Sequence, residues 1–369
     1  MDRAKPKHRA IFETLRRQIA AGKYTRRLPS EMELARRFAV SRPTAARAVR
    51  DLQSLGLLSR RVGSGTYLRD PLGEDNSTRQ RTLGLLVPGL GNTEIVDPIC
   101  NEITHLAQMS GYTVLWGDTP VPTTLVDEIE RLCQEYVDRK VAGVFFAPLQ
   151  SLPDNQAINL RIVAALRRAV IVVVLLDREV LDFPGRSDFD LIGIDNFQAA
   201  FLLSQHLIGL GHRRIHFLAR LHPPSTNDLR IAGCREAMVR ADLTPPKPWI
   251  WMGDPGEAKF VQGILRFRPQ AVICANDLMA AMLIQTLTKL GYHLPRDIAV
   301  AGFDDVKYAT LLAVPLTTVR QPCRQISEVA VRIMLERLEN PQLPPRQVLL
   351  PVELMVRQSC GAGLGQRGT

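Results

Sequence analysis

Apolar and polar residues alternate along the first seventy positions with the spacing of short helices. Ile11, Leu15 and Ile19 recur every four residues, which predicts a first amphipathic helix. Ser30 is suited to cap a second helix, and Ser41 a third, because a serine hydroxyl can accept from the free backbone N–H groups of a first turn. The pattern therefore predicts three short helices, with a tight turn between the second and the third.

A strand-like pattern follows these helices. Residues 57–68 are predicted to form two strands joined by a Gly-Ser-Gly turn at 63–65. The order of helix, helix–turn–helix and β-hairpin predicts a winged helix over residues 1–69. Residues 70–82 are almost free of apolar side chains, which predicts an exposed linker.

From residue 83 onward, short β-type runs alternate with amphipathic helical stretches. This alternation predicts βαβ units, and about 280 residues of it exceed one doubly wound sheet. We therefore expect an α/β body of two similar lobes, each built on a parallel sheet, over 83–360, followed by a frayed tail at 361–369. The predicted strands are 83–87, 112–116, 141–147, 170–176, 214–219, 249–252, 271–275 and 298–303.

Charge is divided unevenly between these two regions. Residues 1–70 hold 17 Lys/Arg and 6 Asp/Glu, whereas residues 71–369 hold 30 and 31. The excess positive charge therefore belongs to the predicted winged helix and indicates a polyanionic partner. Its helices have the buried faces and capped ends of a folded domain, which favours nucleic acid over an acidic membrane surface.

Several classes of protein lack support in the sequence. No apolar run of about 18 residues predicts a transmembrane helix, and no secretory signal precedes the helices. The six cysteines form no CxxC pair and are expected to be reduced, as in a cytoplasmic protein. The motif Gly89-Leu90-Gly91 lacks the third glycine of a dinucleotide site, since Glu94 stands there. We therefore expect no metal, no cofactor and no catalytic residue.

The run from Leu28 to Leu68 resembles the GntR-type winged-helix DNA-binding domain. It shares the Leu-Pro-Ser-Glu opening, Ser-Arg-x-Thr at the start of the recognition helix and Gly-x-Gly-Thr at the wing tip. The resemblance implies binding to double-stranded operator DNA, with Arg42 the best candidate for a base contact and Arg60 and Arg61 suited to phosphates. The predicted DNA-binding residues are Ser41, Arg42, Pro43, Thr44, Arg47, Arg60, Arg61, Gly63, Ser64, Gly65 and Thr66.

One position of this domain departs from the family pattern. Family members have arginine two residues after the threonine of the recognition helix, where this chain has Ala46 followed by Arg47. One residue corresponds to a rotation of about 100° on a helix, so Arg47 does not simply replace the usual contact. Operator sequence is therefore not transferable from the family. Arg36 and Arg37 could contact phosphates or could form a solvated face.

Residues 83–360 resemble the effector domain of the LacI/GalR type, which shares its fold with periplasmic sugar-binding proteins. The matching segments are Ile194–Asn196, Gly211–Ile215, Ala275–Ala280, Pro295–Asp305 and Leu316–Pro322. The resemblance implies two lobes with a ligand between them, the first formed by 83–193 plus 322–342 and the second by 195–318 plus 345–360. Three crossing segments are expected, near 193–195, 318–321 and 343–349.

Polar residues at predicted strand ends are the candidates for ligand binding, because open parallel sheets bind ligands there. In the family these positions hydrogen-bond a carbohydrate effector. They are Asp177, Arg230, Asn276, Asp304 and Gln321. Sugar-binding members often carry aromatic residues after the first strand, and residues 88–98 have none, which weakens the expectation of a sugar. Trp249 and Trp251 are expected to be core residues.

Neighbouring polar residues are expected to be structural. Asp277 and Asp305 are predicted to cap helices. Asp195 and Asn196 are predicted to hold a crossing segment, and His212 to have a packing or turn role.

A GntR-type head on a LacI-type body is typical of bacterial regulators of the arabinose-repressor type. The combined resemblance implies a cytoplasmic homodimeric transcription regulator, a repressor in the usual case, whose operator binding is modulated by a small carbohydrate. Release of DNA on ligand binding is the usual direction, and the opposite direction stays open. The alternative is an enzyme with a regulatory DNA-binding head, for which no catalytic motif is present.

Overall fold

The computed structural model describes residues 7–20, 24, 28–54, 58–61, 65–68, 81–87, 95–116, 124–150 and 152–363. Internal contacts divide the chain into two units, Met1–Gln80 and Arg81–Thr369, which are called the head and the body below. The predicted linker 70–82 lies outside the described residues except for Arg81 and Thr82, and so does the tail from 364 onward.

Three helices and a hairpin form the head. They are α1 (Lys7–Ala20), α2 (Glu31–Arg37), α3 (Arg42–Ser54), β1 (Leu58–Arg61) and the antiparallel β2 (Gly65–Leu68). Apolar side chains from the three helices, among them Leu15, Leu34 and Val49, pack into one buried cluster. Ser30 caps α2 with a capping box, since its Oγ accepts from Glu33 N and Glu33 Oε2 accepts from Ser30 N at 2.7 Å. The predicted winged helix is confirmed.

The first sheet of the body has six parallel strands in the order β13-β7-β6-β5-β3-β4. The strands are β3 (Thr82–Leu86), β4 (Thr113–Leu115), β5 (Gly143–Phe146), β6 (Val172–Leu176), β7 (Asp190–Ile194) and β13 (Gln347–Leu350). Its helices are α4 (Val96–Met109), α5 (Leu125–Asp138), α6 (Asn155–Arg168) and α11 (Cys323–Glu339). Strand β6 reads Val-Val-Val-Leu-Leu because both faces of a parallel sheet are covered by helices.

The second sheet has the order β14-β12-β11-β10-β8-β9, in which only β14 is antiparallel. Its strands are β8 (Ile215–Ala219), β9 (Ile250–Met252), β10 (Ala271–Cys274), β11 (Ala299–Asp304), β12 (Thr317–Arg320) and β14 (Glu353–Met355). Its helices are α7 (Asn196–Gly209), α8 (Ser225–Arg240), α9 (Ala258–Leu265) and α10 (Asp277–Lys289). The predicted two-sheet α/β fold class is confirmed, and all six cysteines are unpaired, as expected.

Three segments connect the two sheets, and one of them differs from expectation. The chain crosses at Asp195 and at Gln321–Pro322, within a residue of the predicted positions. The third crossing lies at Pro351–Val352, because β13 pairs with β7 of the first sheet. Residues 345–350, which were assigned to the second lobe, therefore run along the first.

The cause of this shift is a buried ionic cluster. Asp190 at the start of β7 accepts from Arg337 Nε at 2.8 Å and from the Arg346 backbone N at 2.8 Å. These bonds hold the chain before β13 against β7 across more than 140 residues of sequence. No local pattern in residues 343–350 reports such a distant partner.

Two helices differ from the sequence-based assignment. The strand–helix alternation was traced only to residue 303, so α11 was missed, although Ile326, Ala330 and Ile333 have helical spacing and are buried. The sequence pattern predicts a helix over 229–241 that Arg230 opens, but α8 begins four residues earlier, at Ser225, because its first turn is polar and lacks an apolar repeat. Arg230 therefore lies in the second turn of α8 and does not open it.

Candidate functional site

The start of α3 presents polar side chains from consecutive positions. Ser41 O accepts from Thr44 N and Ala45 N, and the Ser41 and Thr44 hydroxyls lie 2.8 Å apart. This contact sets the first turn of the helix, on which Arg42 and Pro43 are exposed. Arg47 is exposed one turn later. An exposed helix N-terminus with a flanking arginine has the shape and charge to enter a major groove.

The hairpin of the head is described only in part. Arg60 pairs with Thr66 and Arg61 with Gly65 in the antiparallel ladder, and Thr66 O accepts from Leu28 N at 2.9 Å. The turn residues Gly63 and Ser64, and the side chains of Arg60 and Arg61, lie outside the described part of the chain. The backbone thus fixes where a wing begins and ends.

Arg36 and Arg37 differ in their surroundings, although both are exposed at the end of α2. Arg37 Nη1 donates to the Tyr24 hydroxyl at 2.9 Å, and its guanidinium lies 6.0 Å from the Phe38 ring. These contacts give Arg37 a role in packing the head. Arg36 is the better placed of the two for a phosphate.

In the body, the candidate ligand residues lie where strands of both sheets end. Asp177 directly follows β6 and has a positive φ of 70°. Its Oδ2 accepts from Arg178 Nε at 2.9 Å and pairs with Arg178 Nη2 at 2.7 Å, while Arg178 Nη1 donates to Pro148 O. Arg178 was not among the predicted site residues, although a charged pair directly after an apolar strand indicates a binding site.

Arg230 of α8 is almost fully buried and held from three sides. Its Nε donates to Asn196 Oδ1 at 2.8 Å, its Nη1 donates to Ala275 O at 2.5 Å, and its guanidinium lies 4.3 Å from the Phe303 ring. Burial lowers the pKa of Arg230, and the carboxylates of Asp304 and Asp177 act against that shift. Arg230 therefore interacts electrostatically with a carboxylate from each lobe of the body.

Asp304 and Gln321 form a direct pair at the ends of two neighbouring strands. Gln321 Nε2 donates to Asp304 Oδ1 at 2.8 Å, and Asp304 has a φ of 118°, a conformation rare outside glycine. The unusual backbone turns the carboxylate at the end of β11. Asn276 caps α10, since its Oδ1 accepts from Met279 N at 3.0 Å, and this leaves its Nδ2 as the group it can offer a ligand.

Asp277 has a different role from the predicted helix cap, because Asn276 occupies the cap position. Its buried carboxyl lies 2.6 Å from the Thr318 hydroxyl and accepts from Val306 N at 3.1 Å. Burial, followed by the charge of Asp304, raises the pKa of Asp277 to about 8. The Thr318 hydroxyl donates to this carboxyl, which thus joins α10 to the crossing strand β12.

Other polar residues near the strand ends are structural. Asp305 binds Arg320 Nε at 2.7 Å and Arg357 Nη2 at 2.5 Å, so its predicted capping role is wrong. Asp195 caps α7, and His212 contacts Cys360 O at 3.0 Å, both as expected. Asn196 holds Arg230, and Trp249 is buried while Trp251 Nε1 donates to His216 Nδ1.

The cluster combines opposite charges in equal number. Arg178 and Arg230 face Asp177 and Asp304, with amide groups of Gln321 and Asn276 beside them. Such alternating donors and acceptors suit a neutral ligand with several hydroxyls. Among the described residues, no group of three or more His, Cys, Asp and Glu could hold a metal ion.

Comparison with known families agrees with this two-part architecture. Residues 7–68 match the family described as bacterial regulatory proteins, gntR family. Residues 204–360 match the periplasmic binding protein-like domain. In the part of the chain that the structure describes, no helix is both long enough and apolar enough to cross a membrane.

Curated relatives and solved structures cover most of the chain. The arabinose metabolism transcriptional repressor of Geobacillus stearothermophilus is 27% identical over 374 residues, covering 96% of this chain and 97% of that protein. The ribose operon repressor of Escherichia coli K12 is 29% identical and covers 68% of this chain and 81% of its own length. The lac repressor dimer bound to operator has a TM-score of 0.64 at 22% identity, covering 79% of this chain and 99% of that one. The chain thus consists of a winged-helix domain of the gntR family joined to a periplasmic binding protein-like domain of the LacI type.

Proposed function

We propose that this protein is a transcriptional repressor whose binding to operator DNA is controlled by a small carbohydrate held between the lobes of the body. The main support is that one chain contains both a DNA-binding type of head and a ligand-binding type of body. The head has an exposed basic helix–turn–helix, and the two-lobed body brings Asp177, Arg230, Asp304 and Gln321 together near its strand ends. We place the protein in the cytoplasm, where its operator would be.

The carbohydrate class is supported by chemistry and by relatives. The cluster is charge-balanced and rich in hydrogen-bonding groups, which suits hydroxyls better than an anion. Two relatives are named for arabinose metabolism and for a ribose operon. In the proposed site Asp177, Arg230, Asn276, Asp304 and Gln321 contact the ligand, and Arg178 orients Asp177.

In the proposed mechanism, two copies pair through their bodies and each head reads half of a palindromic site. Ser41–Thr44 and Arg47 contact bases, while residues 60–66 contact the backbone. Ligand shifts the population between two lobe arrangements only by its difference in affinity for them. The crossings at Asp195, Gln321 and Pro351 join the two lobes that this shift rearranges, and the linker 70–82 connects the body to the head.

The DNA half of this proposal is tested with the region upstream of the gene. The full chain is titrated with this duplex and with a scrambled duplex at several salt concentrations. We expect tighter binding to the upstream duplex at every salt concentration, because base contacts add to the shared phosphate contacts. Equal affinities with equal salt slopes would contradict a sequence-specific regulator.

The ligand half is tested by thermal shift with sugars, sugar phosphates and sugar acids. A ligand that stabilises the wild-type chain should lose its effect in Asp304→Asn, because the carboxylate that accepts from a ligand hydroxyl is lost. Asp138→Asn on the exposed end of α5 is the matched control. A stabilising ligand that Asp304→Asn and Asn276→Ala both tolerate binds elsewhere.

The enzyme alternative has no positive support, since the relatives named above are transcriptional regulators. The neighbouring genes are the most direct observation for choosing among carbohydrates.

A further inference from the structure

The second sheet of the body carries a row of arginines that the proposed function does not use. Strands β9, β8, β10 and β11 are parallel neighbours, so the segments that lead into them share one edge of the sheet. Exposed cations precede each of these four strands. They are Lys247 before β9, Arg213 and Arg214 before β8, Arg266 and Arg268 before β10, and Arg296 before β11. These six residues are called the basic row.

Backbone and side-chain bonds connect three of the four segments of the basic row. Gln270 Oε1 accepts from Arg213 N at 2.7 Å and from Arg214 N at 3.0 Å. Arg214 Nε donates to Arg268 O at 2.8 Å, and Ala299 N donates to Gln270 O at 2.9 Å. Three of the four segments are therefore tied to one another independently of any partner.

The charges of the basic row are uncompensated. Within the described part of the chain, none of the six cations lies within ion-pair distance of a carboxylate. Elsewhere in the body, exposed arginines such as Arg131, Arg161 and Arg240 are paired with glutamate. Without the row, residues 71–369 hold 24 Lys/Arg against 31 Asp/Glu. The row is therefore a local positive surface on an otherwise acidic body.

The geometry points to the backbone of double-stranded DNA as the partner of the basic row, at a surface separate from the head. Neighbouring strands lie about 4.8 Å apart, so the four segments span about 14 Å. Duplex DNA carries one charge per about 1.7 Å of axis and thus presents about eight phosphates over that length. Five of the six cations are arginine, whose fork matches phosphate oxygens.

An acidic protein is the other class of partner that charge alone would allow. Protein interfaces rely on an apolar centre, and Leu210 and Phe267 are the exposed large apolar side chains among the described residues of these four segments. The Phe267 ring lies 5.2 Å from that of Trp251, which supports it from the sheet. The surface therefore has the composition of a polyelectrolyte contact.

The test removes three cations whose side chains have no structural bond. Full-length Arg213→Gln/Arg266→Gln/Arg268→Gln is compared with Lys140→Gln/Arg168→Gln/Arg186→Gln, which neutralises three exposed, unpaired cations of the first lobe. Arg214 is retained because it holds the Arg268 carbonyl. Affinity for a 40-base-pair duplex without operator is measured against salt concentration, and thermal melting verifies that both variants fold.

We expect the slope of log affinity against log salt to fall by about 2 to 3 in the row variant, because each phosphate contact contributes about 0.9. The control variant should change the slope by less than one. Equal slopes in the two variants would overturn the proposal. Binding of both variants to polyglutamate is measured as well. If the row variant keeps the wild-type salt slope for DNA but loses binding to polyglutamate, the proposal is overturned in favour of an acidic protein partner.

This test of the basic row gives a result whether or not the proposed repressor function is correct. The row variant should keep its preference for operator over scrambled DNA, since the head is unchanged. If the wild-type chain shows no such preference, the repressor proposal fails, while the comparison of salt slopes still decides the basic row.

Discussion

Helix α3 of the head and the strand-end cluster of the body use arginine in opposite ways. On the head, Arg42, Arg47 and Arg50 are exposed along α3. In the body, Arg178 and Arg230 are buried and bound to carboxylates, carbonyls and amides of the same chain. An exposed arginine is available to a partner molecule, whereas a buried one requires the surrounding fold to satisfy its hydrogen bonds.

The contrast explains why net charge was informative for one region only. In the head, the excess of cations is a surface property, and counting residues detects it. In the body, Arg230 and Asp190 have partners that are distant in sequence, so a balance near zero conceals an internal ionic framework.

The largest effect is expected from removing a carboxylate of the internal framework. Asp190→Ala leaves Arg337 and Arg346 without their shared buried anion, which should lower the free energy of unfolding of the body by about 3 to 5 kcal/mol. Urea denaturation of the full chain measures it. The control is Glu135→Ala, which removes an exposed carboxylate from Arg131 and Arg139 and should cost less than about 1 kcal/mol. Similar losses in the two variants would remove the distinction between framework and surface.

A second prediction concerns the protonated carboxyl of Asp277. Its pKa is raised to about 8 in the folded chain from a usual value near 4, so the folded state retains a proton that the unfolded chain has lost. The stability this proton provides is complete below about pH 4 and is lost as pH rises to about 8, by up to about 1.4 kcal/mol per pH unit.

Asp277→Asn should flatten that pH dependence. Its oxygen can accept from Val306 N as the carboxyl does, while its amide can donate to the Thr318 hydroxyl, which in the wild-type chain donates to Asp277 Oδ1. Thermal melting between pH 5 and 9 should show the variant gaining on the wild-type chain as pH rises. Asp138→Asn, exposed on α5, is the control and should follow the wild-type curve. A wild-type profile parallel to that of Asp277→Asn would mean that Asp277 is ionised.

Sequence patterns predicted most of the helices, eight of the twelve strands and the two-sheet class of the body because periodicity reports which face of an element is buried. They also predicted that Asp177, Asp304 and Gln321 follow strands, since strand ends are local features. They did not reveal that Asp190 draws residues 345–350 into the first lobe, or that Asp277 bonds Thr318. Those contacts join positions that no period relates, and only the folded chain brings them together.

A third prediction tests the exposed side of the comparison. Arg42→Ala should weaken binding to operator by about 5- to 150-fold, because a bidentate contact to guanine is lost. Discrimination among bases should be lost at that one base pair. Competition with single-base operator variants measures this effect. Arg168→Ala, exposed on the body, should leave specificity unchanged. A uniform loss over all sequences would instead identify Arg42 as a phosphate contact.

The smallest effect is expected from helix caps, and it tests whether head and body are independent. Ser30→Ala removes the cap of α2 in the head, and Thr124→Ala removes the cap of α5 in the body. Each change should cost about 1 kcal/mol, since one N-terminal N–H loses its acceptor. The same loss lowers the melting temperature of a small domain by about 4 to 8 °C but that of a large one by only about 2 to 4 °C. Calorimetry should therefore show Ser30→Ala lowering one transition and Thr124→Ala lowering another by a smaller amount. A single transition whose melting temperature both substitutions lower equally would mean that the two units unfold together. In one cooperative unit, equal losses of free energy give equal shifts in melting temperature wherever the cap lies.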